Sequence, residues 1–529
     1  MKYVLWMTSL SFVFFAKSQS AAQVVDPDKA KFNMMWIEPL NLKYVAGSNV
    51  VNNFNLGITR PELATILQKY YDMGIRDLVI GYTARWGYFF FDPGPVGLAG
   101  QSYKDRNLDG SSKLISYAET WRRNNSLVHS NGVAHDFLTA LLEECNVPGR
   151  KMNVYLGVGP LDDDHLVDAI HAKHQDPNYT GEVDVPKINY VTRLNNGINF
   201  SKQTVDRIWS MHSGKAALKG FYLTQELHCV EEAMDFYGPV AKHIKSKSSS
   251  LKVLISPPIN AGRMVSCKTT KTYPQLLTAI SPSIDMILYQ DSIGAGVRTI
   301  NGISHAVYGG DQFRAEQVID NITYFNELIA FHAGKSVELA FNIEAWRHEN
   351  YQSKPETAPW ANLKNQLVAY KNLLPNAKFM FNEGLLGFDF GIANAKLVEP
   401  VAAAKAVTFT ADYVSYLQPG LSQSFCQFQR SFIKGTWFND GIATGAVASY
   451  YTPISSAWNS AVTNCADQAH VYGNNKCFSQ GADYATVYAT VFMSKSGGGS
   501  KSQLYTFTYN CKNISSYLGI SPSPVNENW

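Results

Sequence analysis

Between residues 33 and 390 the chain alternates short apolar runs with longer amphipathic ones. Eight of the short runs read as strands. They are NMMWIEPL (33–40), DLVIGYT (77–83), MNVYLGVG (152–159), GFYLTQE (220–226), KVLISPP (252–258), DMILYQDS (285–292), VELAFNIEAW (337–346) and KFMFNEG (378–384). Between them, segments such as PELATILQKYYDMG (61–74), AHDFLTALLEEC (134–145), QTVDRIWSMH (203–212) and AEQVIDNITYFNELIAFH (315–332) space their apolar residues three and four apart. That spacing lines one face of a helix. Strands each followed by a helix predict a parallel sheet, and eight is the number that closes a (β/α)8, or TIM, barrel. An open doubly wound sheet is the rival, but no G-x-G-x-x-G follows the first run. The long stretches after runs two and three (84–131 and 160–198) also favour a barrel, whose strand-to-helix loops carry functional elaboration.

Past residue 400 the rhythm breaks. VEPVAAAKAVTFTADYVSYL predicts one further helix, placed to close the outer ring. Beyond Pro419 the chain turns to Ser, Thr, Gly and aromatic residues, and ATVYATVFMSKSGGGSKSQLYTFTYNC predicts a β-hairpin around a Gly/Ser loop. The expected organisation is a signal peptide (1–20), a barrel (30–418) and a small β-rich, disulfide-linked C-terminal module (420–529).

Composition narrows the class. With 529 residues, 45% hydrophobic and 17% charged, the chain is long enough for a large domain and a smaller one. A net charge of +3 without a Lys/Arg block leaves no electrostatic footprint for nucleic acid. The N-terminus MKYVLWMTSLSFVFFAKSQSAAQ pairs a basic second residue with an apolar run from Tyr3 to Ala16 and small residues after it. That is the pattern of a secretory signal, so a secreted, extracellular product is expected. No later stretch reaches the roughly 18 apolar residues of a membrane span. Five N-x-S/T sequons, at Asn124, Asn178, Asn199, Asn321 and Asn513, are candidate glycan sites. Of seven cysteines, Cys426, Cys465, Cys477 and Cys511 fall in the last 104 residues and are disulfide candidates, with three pairings open.

Catalytic groups of such barrels sit at the C-terminal ends of the strands. Ionisable residues end strand one (Glu38), strand four (Glu226), strand six (Asp291), strand seven (Glu344) and strand eight (Glu383). Side chains two apart share a face of a strand. In strand seven Val337, Leu339, Phe341 and Ile343 make an apolar outer face, which turns Ala340, Asn342 and Glu344 inward. In strand four Phe221 and Leu223 face out and Tyr222, Thr224 and Glu226 face in. Two carboxylates at one mouth are the equipment of a glycosidase. A separation of about 5–5.5 Å serves retention and about 6.5–9.5 Å inversion. Plainer roles remain open: a helix-start carboxylate for Glu226, an ion pair with Arg347 or Lys335 for Glu344, and core packing for Tyr289. The acidic LDDDH (161–165) is read as a solvated turn, and no metal site is assigned.

Acids ending strands four and seven, with a tyrosine on strand six, resemble the clan-A retaining glycoside hydrolases. In that resemblance Glu226 is the acid/base, Glu344 the nucleophile, and Tyr289 the tyrosine that hydrogen-bonds it. FYLTQE and ILYQDSIGAG are separately similar to signatures of a poorly characterised, glycosidase-like TIM-barrel family of unknown function. Two features depart from clan A: Gln225 stands where Asn precedes the acid/base, and KFMFNEG lacks the strand-eight tryptophan. Trp36, Trp86 or Trp346 would then supply the stacking platform. Gln225, Asp291 and Glu38 complete the expected substrate-binding set. This chemistry requires no metal or organic cofactor. The expected partner is a carbohydrate. The alternative is an inactive barrel that binds glycans or builds an extracellular, even mineralised, matrix through matrix partners.

Overall fold

The structure, a computed structural model, describes residues 29–37, 44–46, 54–56, 60–85, 88–89, 102–106, 112–116, 129–130, 133–134, 137–159, 190–226, 230–258, 272–294, 297–300, 303–306, 310–347, 356–382, 409, 412–413, 416–417, 422–433, 436–439, 446–452, 484–495, 500–510 and 517–522. All eight predicted strands form. They are β1 (Met34–Ile37), β2 (Asp77–Ile80), β3 (Asn153–Val158), β4 (Leu218–Leu223), β5 (Lys252–Ile255), β6 (Met286–Gln290), β7 (Glu338–Glu344) and β8 (Lys378–Asn382). Each pairs in parallel with its neighbours in sequence, and β1 pairs with β8, which closes the barrel.

Between the strands run α1 (Arg60–Asp72), α2 (Phe137–Glu144), α3 (Tyr190–His212), α4 (Val230–Lys247), α5 (Tyr273–Ile280), α6 (Gly310–His332) and α7 (Trp360–Leu373). The helix expected at 203–212 begins thirteen residues earlier, because its first turns are largely polar and show little apolar stripe. Among the described residues no helix is long and apolar enough to cross a membrane.

Parallel strands buried on both faces read as nearly continuous apolar runs, and the alternation within each run divides two cores. The outer faces join the helices in one large cluster. There Phe341 of β7 packs against Phe325 of α6 (ring centroids 4.3 Å apart) and Tyr370 of α7 (5.3 Å). The inner faces meet in a second cluster that includes Met34, Val79, Tyr155, Tyr222, Leu254, Leu288, Ala340 and Met380. The N-terminal end of the barrel is filled by a polar group around the buried Asp77. Its carboxylate accepts from Asn153 Nδ2 (2.7 Å) and pairs with Lys378 Nζ (3.2 Å). Burial, and then the neighbouring Asp77 charge, push the Tyr155 phenol in this group well above its usual range.

The described residues of the predicted closing helix are helical at 409, 412–413 and 416–417. Phe409, Tyr413 and Leu417 are buried, and the Tyr413 hydroxyl accepts the Phe32 N–H at 2.9 Å, which ties this segment to the approach to β1. After residue 420 comes a six-stranded antiparallel sheet. Its strands are β9 (Ser422–Ile433), β10 (Thr436–Asn439), β11 (Ala446–Thr452), β12 (Tyr484–Lys495), β13 (Ser500–Asn510) and β14 (Tyr517–Pro522). The predicted hairpin is β12 with β13, in register from Tyr484↔Asn510 to Ser494↔Ser500.

Candidate active site

Glu344 has the inner parity of β7. Val337, Leu339, Phe341 and Ile343 lie in the outer core, Ala340 lies in the inner one, and Glu344 stands at the C-terminal end, 4% exposed. In β4 Phe221 and Leu223 face the helices and Tyr222 faces inward. Beyond the strand Thr224 is buried and Glu226 is exposed. All the strands of this closed ring run the same way, so the ends of β4 and β7 share one rim. Glu344 and position 226, three residues past β4, therefore lie toward the same end of the barrel.

Beneath that rim the inner face changes character. Above the apolar layer stand Thr224, Ser256, Gln290, Asn342 and Asn382, all buried. Ser256 is their hub. Its hydroxyl donates to the Leu288 carbonyl (2.7 Å) and accepts from Asn342 Nδ2 (2.8 Å), and its carbonyl accepts from Gln290 Nε2 (3.0 Å). Asn342 Oδ1 and Thr224 Oγ1 are buried without a hydrogen-bonding partner. Leaving such atoms unsatisfied costs about 1–3 kcal/mol each. A water or a ligand hydroxyl would recover that. Alternation along β7 predicts Asn342 on the inner face, whereas Ser256 and Gln290 are site residues that the strand-end acids do not point to. The inward parity of KVLISPP and DMILYQDS was the available signal.

Two tryptophans border this layer, both half-buried. Trp36 lies across the end of β2, with its ring where a side chain on Gly81 would be: a Cβ there would meet Trp36 Cζ2 at 2.2 Å. Trp346 lies over Gly294, whose added Cβ would meet its Cε2 at 2.9 Å and Glu344 Cβ at 2.8 Å. Glycine at both positions lets the indoles seat against the backbone.

Several expectations are corrected. Tyr289 has outer parity and points away from the mouth. Its hydroxyl is 3.0 Å from His332 Nε2 at the end of α6, so it does not reach the Glu344 carboxylate in the manner of the clan-A tyrosine. His332 Nδ1 lies 3.2 Å from the Val337 carbonyl, and burial holds the imidazole below its usual range, against that bond's opposing pull. Nδ1 therefore carries the proton, and Nε2 accepts from the tyrosine. Asp291 also has outer parity. Its carboxylate accepts the Glu344 N–H (3.2 Å) and Gln366 Nε2 of α7, on the helix side of the barrel wall. The Asn321 sequon is 7% exposed, with its Nδ2 donating to the Asp291 carbonyl (2.8 Å) and to the Tyr370 hydroxyl (3.2 Å), so a glycan cannot be seated there in the folded chain.

Gln225 is buried beside α4, and the Tyr237 hydroxyl donates to its carbonyl, which pins the end of β4. Lys335, one ion-pair candidate for Glu344, instead donates to Thr278 Oγ1 at 3.0 Å, on the N-terminal side of β7. Asn199 is exposed on α3 and accessible to a glycan. Cys145 is a buried free thiol, held well above its usual range by burial. Glu38, Glu383, Trp86, the LDDDH turn, Asn124, Asn178, Asn513, Cys465, Cys477 and Cys511 lie outside the described residues, and Cys426 is described only as a position on β9.

Three solved structures illustrate what the chain is similar to. A protein of Bacteroides thetaiotaomicron assigned to the alpha-L-fucosidases aligns at 14% identity over 79% of this chain and 99% of that one, with a TM-score of 0.45. Cellulose synthase subunit Z of Clostridioides difficile aligns at 10% identity over 73% and 99%, with a TM-score of 0.38. An intracellular xylanase of Thermoanaerobacterium saccharolyticum aligns at 10% identity over 67% and 87%, with a TM-score of 0.31. No curated protein sequence matches the chain. A family model described as a domain of unknown function, DUF4434, matches residues 64–379, a span that runs from within α1 to within β8. The chain belongs to the DUF4434 family, the uncharacterised barrel family that its strand-end signatures anticipated.

Proposed function

We propose that the chain is a secreted glycoside hydrolase that acts on an extracellular polysaccharide or glycan with retention at the anomeric carbon. The carrying observation is the graded inner face of the barrel. It is apolar at Tyr222, Leu288 and Ala340, polar at Thr224, Ser256, Gln290 and Asn342, and reaches the buried Glu344 at the rim, with the exposed Glu226 following β4 toward the same end. A polyhydroxylated ring supplies hydrogen bonds to such a layer, and its C–H faces suit the flat indoles of Trp36 and Trp346.

Glu226 would donate its proton to the glycosidic oxygen as Glu344 attacks the anomeric carbon, which breaks the bond to the leaving alcohol and forms a glycosyl ester. Glu226, now a carboxylate, would take a proton from water as that water displaces Glu344, returning both groups to their starting states. The exposure of Glu226 suits a group that exchanges protons with solvent, and the burial of Glu344 suits a nucleophile screened from water. Secretion is proposed on the signal-like pattern of residues 1–20, the barrel domain is proposed to span 30–418, and the tail at 420–529 is proposed to be stapled by pairs among Cys426, Cys465, Cys477 and Cys511.

The test is hydrolysis of a panel of 4-nitrophenyl glycosides and polysaccharides by the full chain, with Glu344→Gln and Glu226→Gln beside it. Turnover by the wild type, lost in Glu344→Gln at an unchanged melting temperature, supports the reading. Full activity in Glu344→Gln rules it out. Glycan binding without turnover anywhere on the panel would instead favour the matrix role.

A further inference from the structure

Past Gln290 the chain leaves β6 and turns back against the end of β7. Ser292 adopts a φ of 55°, a left-handed conformation uncommon outside glycine. Gly294 then packs against Glu344 and Trp346. At the centre of this turn is Asp291, 1% exposed. Its Oδ1 accepts the N–H of Glu344 at 3.2 Å and of Ile293 at 3.4 Å, and its Oδ2 accepts Gln366 Nε2. Its own N–H donates to the Asn342 carbonyl at 3.1 Å, and its carbonyl accepts Asn321 Nδ2 at 2.8 Å. One residue thus ties the ends of β6 and β7 to α6 and α7. Burying a carboxylate without hydrogen-bond partners is expensive, and these donors satisfy Asp291 at the base of the Glu344 side chain.

We propose that Asp291 is a positioning residue. It fixes the main chain at Glu344 and so the direction in which that carboxylate enters the barrel mouth. The proposal rests on the reading of Glu344 as the nucleophile. A residue that merely stabilised the core would affect the whole barrel evenly. A positioning residue acts on Glu344 first.

Hydrogen–deuterium exchange of the full chain tests this without a substrate. In Asp291→Ala the Glu344 amide is expected to exchange about tenfold or more faster, while the Tyr222 and Leu254 amides keep their wild-type rates. Asp291→Asn retains one acceptor oxygen and is expected to stay within about threefold of wild type. Should Asp291→Ala fail to fold, Gln366→Met, which removes only the donor to Oδ2, decides the matter by faster exchange confined to the β7 end. An unchanged Glu344 amide, or equal acceleration across β4 and β5, overturns the proposal. A second arm measures capture of Glu344 by 2,4-dinitrophenyl 2-deoxy-2-fluoroglycosides. Asp291→Ala is expected to slow the capture step about tenfold at unchanged probe affinity, with Asp291→Asn restoring most of the rate. A change in affinity alone counts against positioning. No capture in the wild type strikes at the hydrolase reading and leaves exchange to judge Asp291.

Discussion

Gly157 on β3 gives the sharpest structural test. An added Cβ would lie 2.1 Å from the Gly81 carbonyl oxygen and 2.4 Å from that of Ile80, both backbone atoms of the neighbouring β2 region. No rotamer change relieves such a contact, so Gly157→Ala must push two hydrogen-bonded strands apart. The Gly157 carbonyl also accepts the Thr83 N–H at 3.1 Å and the Thr83 hydroxyl at 2.6 Å, and both bonds are strained by that movement. Overpacking costs about 1–3 kcal/mol, and two weakened hydrogen bonds add roughly 1 kcal/mol each. The expected loss is about 3–5 kcal/mol. Gly214→Ala is the control, since a Cβ there meets nothing within 4 Å, and it should be neutral or stabilise by up to about 1 kcal/mol. Urea denaturation followed by tryptophan fluorescence reads both. A Gly157→Ala protein within about 1 kcal/mol of wild type would refute the close approach of β2 and β3 on which the shape of the mouth depends.

Two further outcomes follow from buried groups. His332 is held neutral by burial, so the unfolded chain takes up a proton before the folded one as pH falls below the ordinary histidine range near 6.5. Stability should decline as pH drops through that window, and His332→Asn should flatten the dependence of the urea midpoint between about pH 7.5 and 5.5. An unaltered slope would contradict the burial of a neutral His332. In a glycosylating host, peptide mapping should find Asn199 modifiable and Asn321 bare. A glycan on Asn321 of the folded protein would contradict its burial between Asp291 and Tyr370.

The barrel was readable because each parallel strand is a compact apolar run bounded by turn residues, and alternation within the run sorts inner from outer side chains. The same alternation gives Glu344 its inner parity at the end of β7. Counted along DMILYQDS it would also have put Tyr289 and Asp291 on the helix side, with Met286, Leu288 and Gln290 inward. The residue types of the clan-A pattern are present on this strand, but their parity is the opposite of what that pattern needs. Asn321 was misread for a different reason: a sequon is local, whereas its burial depends on Asp291 and Tyr370, 30 and 49 residues away. The Ser256 hub was hidden because a lone serine at the end of an apolar strand carries no pattern until its neighbours on β6 and β7 are in register beside it.

Glu344 is proposed to act as the nucleophile at the barrel mouth, with Glu226 as its acid/base. The most direct measurement is mass-spectrometric mapping after incubation with the 2-deoxy-2-fluoroglycoside panel. A single fluorosugar esterified to Glu344, absent in Glu344→Gln, is the predicted result. A sugar attached to any other carboxylate, or labelling that persists in Glu344→Gln, would contradict it.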